Sequence, residues 1–174
     1  MLLLKKPLVA LALASSLLVT ACGFTSVHAP GGSGQALYGQ VLVTPPTQQS
    51  AQGDSNGYFL VRDLEDRLGR GQNGSYRLNL TLATSTEGQA ITADSENTRY
   101  SVLGTAGYKL VRRADGVVVA SGSESSFTGY SATGSTVETL AGEQDAYERL
   151  MRILADQITA RLYATADLGS AAAE

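Results

Sequence analysis

The chain has no tryptophan, one cysteine and one histidine in 174 residues. A lone cysteine forms no internal disulfide, so it needs another explanation. His28 by itself makes neither a catalytic triad nor a histidine zinc site. Phe is scarce at three copies, which leaves Tyr, with eight, as the main aromatic. No glycine-rich phosphate loop opens a helix after a strand. Basic residues are outnumbered, 13 against 16, which argues against nucleic acid as a partner. Asp94 and Glu96 share a loop and could hold a calcium ion, but two carboxylates are a weak signature. An enzyme would have little to work with, and neither a cofactor nor a metal is expected.

What is present begins at the N-terminus. Lys5 and Lys6 precede an uncharged apolar run over 7–19. That run is shorter than the roughly 20 residues a bilayer span requires and reads as a signal peptide. The small residues Thr20 and Ala21 then lead to Cys22, the only cysteine. Val19-Thr20-Ala21-Cys22 resembles a lipobox, where bacteria acylate the cysteine and cut just before it. Each buried methylene contributes about 0.8 kcal/mol, so several acyl chains amount to a permanent anchor. Gly23, not Asp, follows the cysteine, a pattern that resembles lipoproteins sent to the outer membrane. The expectation is a lipid-anchored protein of the outer membrane, facing the periplasm of a Gram-negative cell. Without Lys5 and Lys6, 11 basic residues face 16 acidic ones.

Four segments follow from these readings: a signal peptide over 1–21, a lipidated tether over 22–36, one domain over 37–166, and a disordered tail over 167–174. Residues 37–43 form a short β-type run that Pro45-Pro46 stops. Leu60, Val61, Leu64 and Leu68 recur at helical spacing over 56–70. Asp63, Glu65 and Asp66 lie opposite them and read as a solvated face, with Arg62–Asp66 and Asp63–Arg67 spaced to pair. Tyr76, Leu78, Leu80 and Leu82 alternate with polar residues over 75–83, as in a strand with one wet face. Residues 98–113 repeat that alternation with Tyr100, Val102, Ala106, Tyr108 and Leu110. Asp115-Gly116 signals a hairpin. The returning strand over 117–128 places Val117, Val119 and Phe127 on one face, and its serines suggest an exposed or edge position. Tyr147, Leu150, Met151, Leu154, Ile158 and Leu162 stripe a last helix over 143–164. The order is β-α-β-β-β-α. An α+β two-layer sandwich, with two helices on one face of a four-stranded, mostly antiparallel sheet, satisfies every apolar face.

Binding is the favoured class. Arg99, Lys109, Arg112 and Arg113 lie on strand-rich segments, as does Arg77. A cationic sheet rim suits the phosphates of lipopolysaccharide.

Five pieces carry a family resemblance: Ala21-Cys22-Gly23-Phe24, Tyr76-Arg77-Leu78-Asn79-Leu80, Thr98-Arg99-Tyr100, Gly107-Tyr108-Lys109-Leu110, and Glu143-Gln144-Asp145-Ala146 with Leu154-Ala155. In their order and spacing the chain resembles the LptE family of lipopolysaccharide-assembly lipoproteins. The resemblance implies a non-catalytic role. Such proteins sit as a plug inside LptD, an outer-membrane β-barrel, help it assemble, and can bind lipopolysaccharide. The alternative is an auxiliary lipoprotein of an intermembrane lipid-transport ABC system, which also pairs a lipobox with a small α+β domain.

Overall fold

The computed structural model describes residues 27–48, 53–91 and 97–168. Its elements are α1 (Ser33–Leu37), β1 (Val41–Val43), β2 (Thr47–Gln48), α2 (Gly53–Leu68), β3 (Tyr76–Ile91), β4 (Asn97–Arg112), β5 (Val118–Ser131) and α3 (Thr136–Thr165). The expected order is present, with a short helix and a two-residue strand added. β1 and β2 both run parallel to β3 along one edge, β1 beside 76–78 and β2 beside 81–82. β3, β4 and β5 are antiparallel neighbours. The sheet therefore has four strand positions and is mixed, with the helices packed on it as an α+β sandwich.

Alternation decides which face is covered. Leu78 pairs with Leu110, Leu80 with Tyr108 and Leu82 with Ala106, and all six are buried. Leu60, Leu64 and Leu68 of α2 join them, as do Leu150, Met151, Leu154, Ile158 and Leu162 of α3. A fully buried Leu or Ile contributes about 1.5–3 kcal/mol, so this layer is the main source of stability. Gly104 lets α3 come close to β4, because a Cβ there would lie 2.9 Å from Leu150 Cδ2. Thr128 of β5 adds a buried polar tie, its Oγ1 donating to the Ala146 carbonyl of α3 at 2.7 Å.

Several expectations need correction. The strand expected to end near residue 83 continues to Ile91, carried on by pairing with β4 at Thr84–Gly104 and Thr86–Val102. The last helix starts at Thr136, not 143, because Ser135 and Glu138 form a capping box. Part of the expected tether, 27–36, lies on the domain. Gly34 is buried there, as is the adjoining Leu37, and Ser33 Oγ donates to the Tyr163 carbonyl at 2.6 Å. Asp63 is not on a solvated face but 5% exposed, accepting from Arg62 at 3.2 Å. Neither expected i,i+4 pair forms. Arg62 also reaches Glu148 at 2.9 Å, and Arg67 pairs with Asp156 at 2.6 Å, so both tie α2 to α3. Val119 and Phe127 do not share a face. A register shift at Leu110/Val111 turns Val119 inward, while Phe127 is 70% exposed. Cys22, Asp94, Glu96 and 169–174 lie outside the described residues.

Candidate functional site

Among the described residues, no helix lies over the second face of the sheet. On β3 it presents Arg77, Asn79, Thr81, Ala83 and Ser85, all exposed. Cross-strand register then sets three-residue rungs: Asn79–Lys109–Ser121, Thr81–Gly107–Ser123 and Ala83–Thr105–Ser125. The last is fastened by a Thr105–Ser125 hydroxyl pair at 2.9 Å. The surface is thus broad, hydroxyl-rich and nearly without long side chains. Its larger apolar side chains are Phe127 and its cross-strand partner Leu103. Hydroxyls facing water lose little by exchanging it for another polar wall, so this face suits a polar partner.

The four cations singled out from the sequence do not form one cluster. Lys109 stands alone on the middle of the open face, exposed, between Asn79 and Ser121. Arg99 pairs with Ser131 near the opposite end of β4 from Arg112. Thirteen residues of extended strand separate Arg99 from Arg112, roughly 43 Å. No single phosphate reaches both. Arg112 forms an ion pair with Asp115 at 3.0 Å across the hairpin turn. The Asp115 side chain and the Arg112 guanidinium each favour the other's charge. Asp115 is held below the usual carboxylate range, first by the Val117 N–H and then by Arg112. Arg113 Nη1 donates to the Gly74 carbonyl at 2.9 Å. Arg112 is thereby engaged across the hairpin turn and Arg113 with the loop before β3, whereas Arg99 is exposed.

Arg99 borders an open groove of about 630 Å³, lined also by Tyr100, Ser101, Phe127, Thr128 and Gly129. Tyr100 and Tyr130 stack at its edge with ring centroids 5.3 Å apart. Burial pushes the Tyr130 hydroxyl above its ordinary pKa, so it stays protonated. The groove joins one guanidinium to aromatic and hydroxyl surface. That set can hold an anionic group beside an apolar one. It has no nucleophile–base pair. Among the described residues no cluster of His, Cys, Asp and Glu could hold a metal ion. Nor is any described helix long and apolar enough to cross a membrane. The serines of the last strand marked an exposed position in the sequence, and strand register aligns them with Thr81 and Thr105 into rungs.

A family model described as LptE, lipopolysaccharide-assembly, matches residues 38–162. No curated protein matches the sequence. Among solved structures, the fold is similar to that of a candidate lipoprotein from Caulobacter crescentus. That match has a TM-score of 0.58 and 20% identity, and covers 76% of this chain and 93% of that one. The rare lipoprotein B from Shewanella oneidensis matches with a TM-score of 0.52 at 11% identity, over 72% of this chain and 95% of that one. An uncharacterized lipoprotein B from Nitrosomonas europaea gives 0.50 and 13%, over 86% and 94%.

Proposed function

Because this chain belongs to the LptE family of lipopolysaccharide assembly, we propose that it is an outer-membrane lipoprotein that docks in the LptD β-barrel and helps it assemble. The complex would insert lipopolysaccharide into the outer leaflet. Acylated Cys22 would hold the protein in the membrane, with its domain on the periplasmic side. The observation that carries the barrel reading is the uncovered, hydroxyl-rich face. Barrel lumens are polar, and a plug meets them best with short polar side chains that need no large desolvation. Arg99, at the groove beside Tyr100, is the cation best placed for a lipid phosphate, with Lys109 next. Arg112 and Arg113 would contribute less, since Asp115 and the Gly74 carbonyl already engage them. The role is assembly and docking, without a catalysed reaction.

The test is an affinity purification from detergent-solubilised outer membrane, paired with depletion. The barrel should co-purify, and depletion should lower the amount of correctly assembled barrel. Co-purification with an inner-membrane transport complex, or unchanged barrel assembly, would refute the proposal.

A further inference from the structure

We infer that, in the lipoprotein not yet docked in a barrel, the end of the domain bearing the β4–β5 turn rests on the membrane surface, with Val117 and Val118 set among the lipid headgroups. The inference rests on acylation of Cys22. Its first support is the length of chain available. His28 packs edge-on against Tyr163 with ring centroids 5.7 Å apart, and Gly34 is packed beneath Val27 and His28. Val27 is therefore fixed at the C-terminal end of α3. Only five residue steps separate it from Cys22, which span at most about 18 Å. An anchor that short holds this end of the domain at the bilayer.

The second support is what this end exposes. Four residues past Tyr163, the Asp167 N–H donates to the Val119 carbonyl at 2.9 Å. The turn is thus adjacent to the anchored segment. Turn tips are normally Gly, Asn, Asp, Ser or Pro. Here Gly116 takes the required positive φ of 74°, but two valines follow at once, 49% and 51% exposed. Tyr38, 63% exposed, and Val27, 38% exposed, lie at the same end. Tyr38 is near enough to Tyr163 to raise its pKa further, after burial. An apolar group gathered at the anchored end fits an interfacial depth of about 5–10 Å. The hairpin itself carries Arg112 and Arg113 against Asp115, a positive balance that suits phosphate headgroups.

The experiment uses the full acylated chain in vesicles of phosphatidylethanolamine and phosphatidylglycerol. With Cys22 acylated, an introduced cysteine is the only thiol. An environment-sensitive fluorophore is placed on Val118→Cys and, separately, on Val137→Cys at the opposite end of α3. The 118 probe should shift to the blue and be quenched by lipid-borne quenchers, while the 137 probe stays aqueous. In the unlabelled chain, amide exchange over 115–119 should slow severalfold on vesicles. Aqueous emission from both probes, or burial of the 137 probe in place of 118, overturns the inference. An unacylated Cys22 would be seen separately, as a chain that fails to sediment with vesicles, and would overturn the anchor reading together with this one.

Discussion

Gly104 sits directly beneath Leu150: a methyl group on the glycine would lie 2.9 Å from Leu150 Cδ2 and 3.2 Å from Leu154 Cδ1. Both leucines are fully buried. Gly104→Ala forces them to shift, which costs about 1–3 kcal/mol. The gain from a less flexible unfolded chain is about 0.4–1 kcal/mol, so overpacking wins. Urea denaturation should show lowered stability with an unchanged slope. Adding Leu150→Ala makes room for the new methyl, so the double variant should be more stable than the sum of the single losses implies. Strict additivity would show that the two residues do not press on each other.

Leu37 is fully buried although it ends a helix of only five residues. Leu37→Ala removes the contact that holds this short segment, which can detach without melting the sheet. Limited proteolysis should cut within 27–37 of the variant much sooner than in the wild type. The main thermal transition should hardly move. Loss of the whole transition would mean that α1 is part of the cooperative core.

Arg99 and Arg113 should separate under mutation. Arg99→Ala removes an exposed guanidinium at the groove and should weaken lipopolysaccharide binding severalfold at unchanged stability. Arg113→Ala frees the Gly74 carbonyl that it now holds. It should lower stability, by about 1–2 kcal/mol for a hydrogen bond to a charged donor, with little change in binding. Isothermal titration with purified lipopolysaccharide, next to thermal melts, decides between them. Equal losses of affinity would remove the distinction between the two ends.

Acid should loosen two exposed turns. The Ser135 N–H, then its hydroxyl, hold the Glu138 carboxyl below its ordinary pKa, and Asp115 is lowered by Val117 and Arg112. A carboxylate lowered in the folded state stabilises above the ordinary range near about pH 4. That contribution disappears as pH falls through the folded values. The amide resonances of Glu138 and Val117 should therefore move together with their carboxylates on acidification, at pH values below those of the unfolded chain. Ser135→Ala removes the hydroxyl but keeps the N–H, so it should weaken the response at Glu138, leave that at Val117, and cost about 1 kcal/mol.

The core was readable because its pattern is local. Tyr76, Leu78, Leu80 and Leu82 alternate, and Leu150, Leu154 and Ile158 recur at helical spacing, so each element declared its buried side. The outer half of β3 was not readable. From Thr84 to Gly88 both faces are polar, because the side facing α3 carries hydroxyls, with Thr86 bonded to Tyr147, and its strand depends on pairing with β4. The first turns of α3 were missed for a different reason. Val137 and Leu140 are exposed there, which breaks the apolar stripe, while the Ser135–Glu138 box that starts the helix is a local signal that went unused. Asp63 shows the limit of reading charge as solvation, because Arg62 and the neighbouring helix cover it. The candidate cations were recognisable by type. Their spacing along a strand over 98–113 was readable too, while the partners that engage Arg112 and Arg113 emerge only from the fold.

The packing of Ser33 and Leu37 against the end of α3 has a mechanical consequence. A pull on the chain at Val27 meets this packed segment first. It passes into the carbonyl end of a 30-residue helix and is shared by every leucine that seats that helix on the sheet. Pulling on residues 27–37 therefore strains the domain along the axis of α3, so this segment and the body should move as one piece.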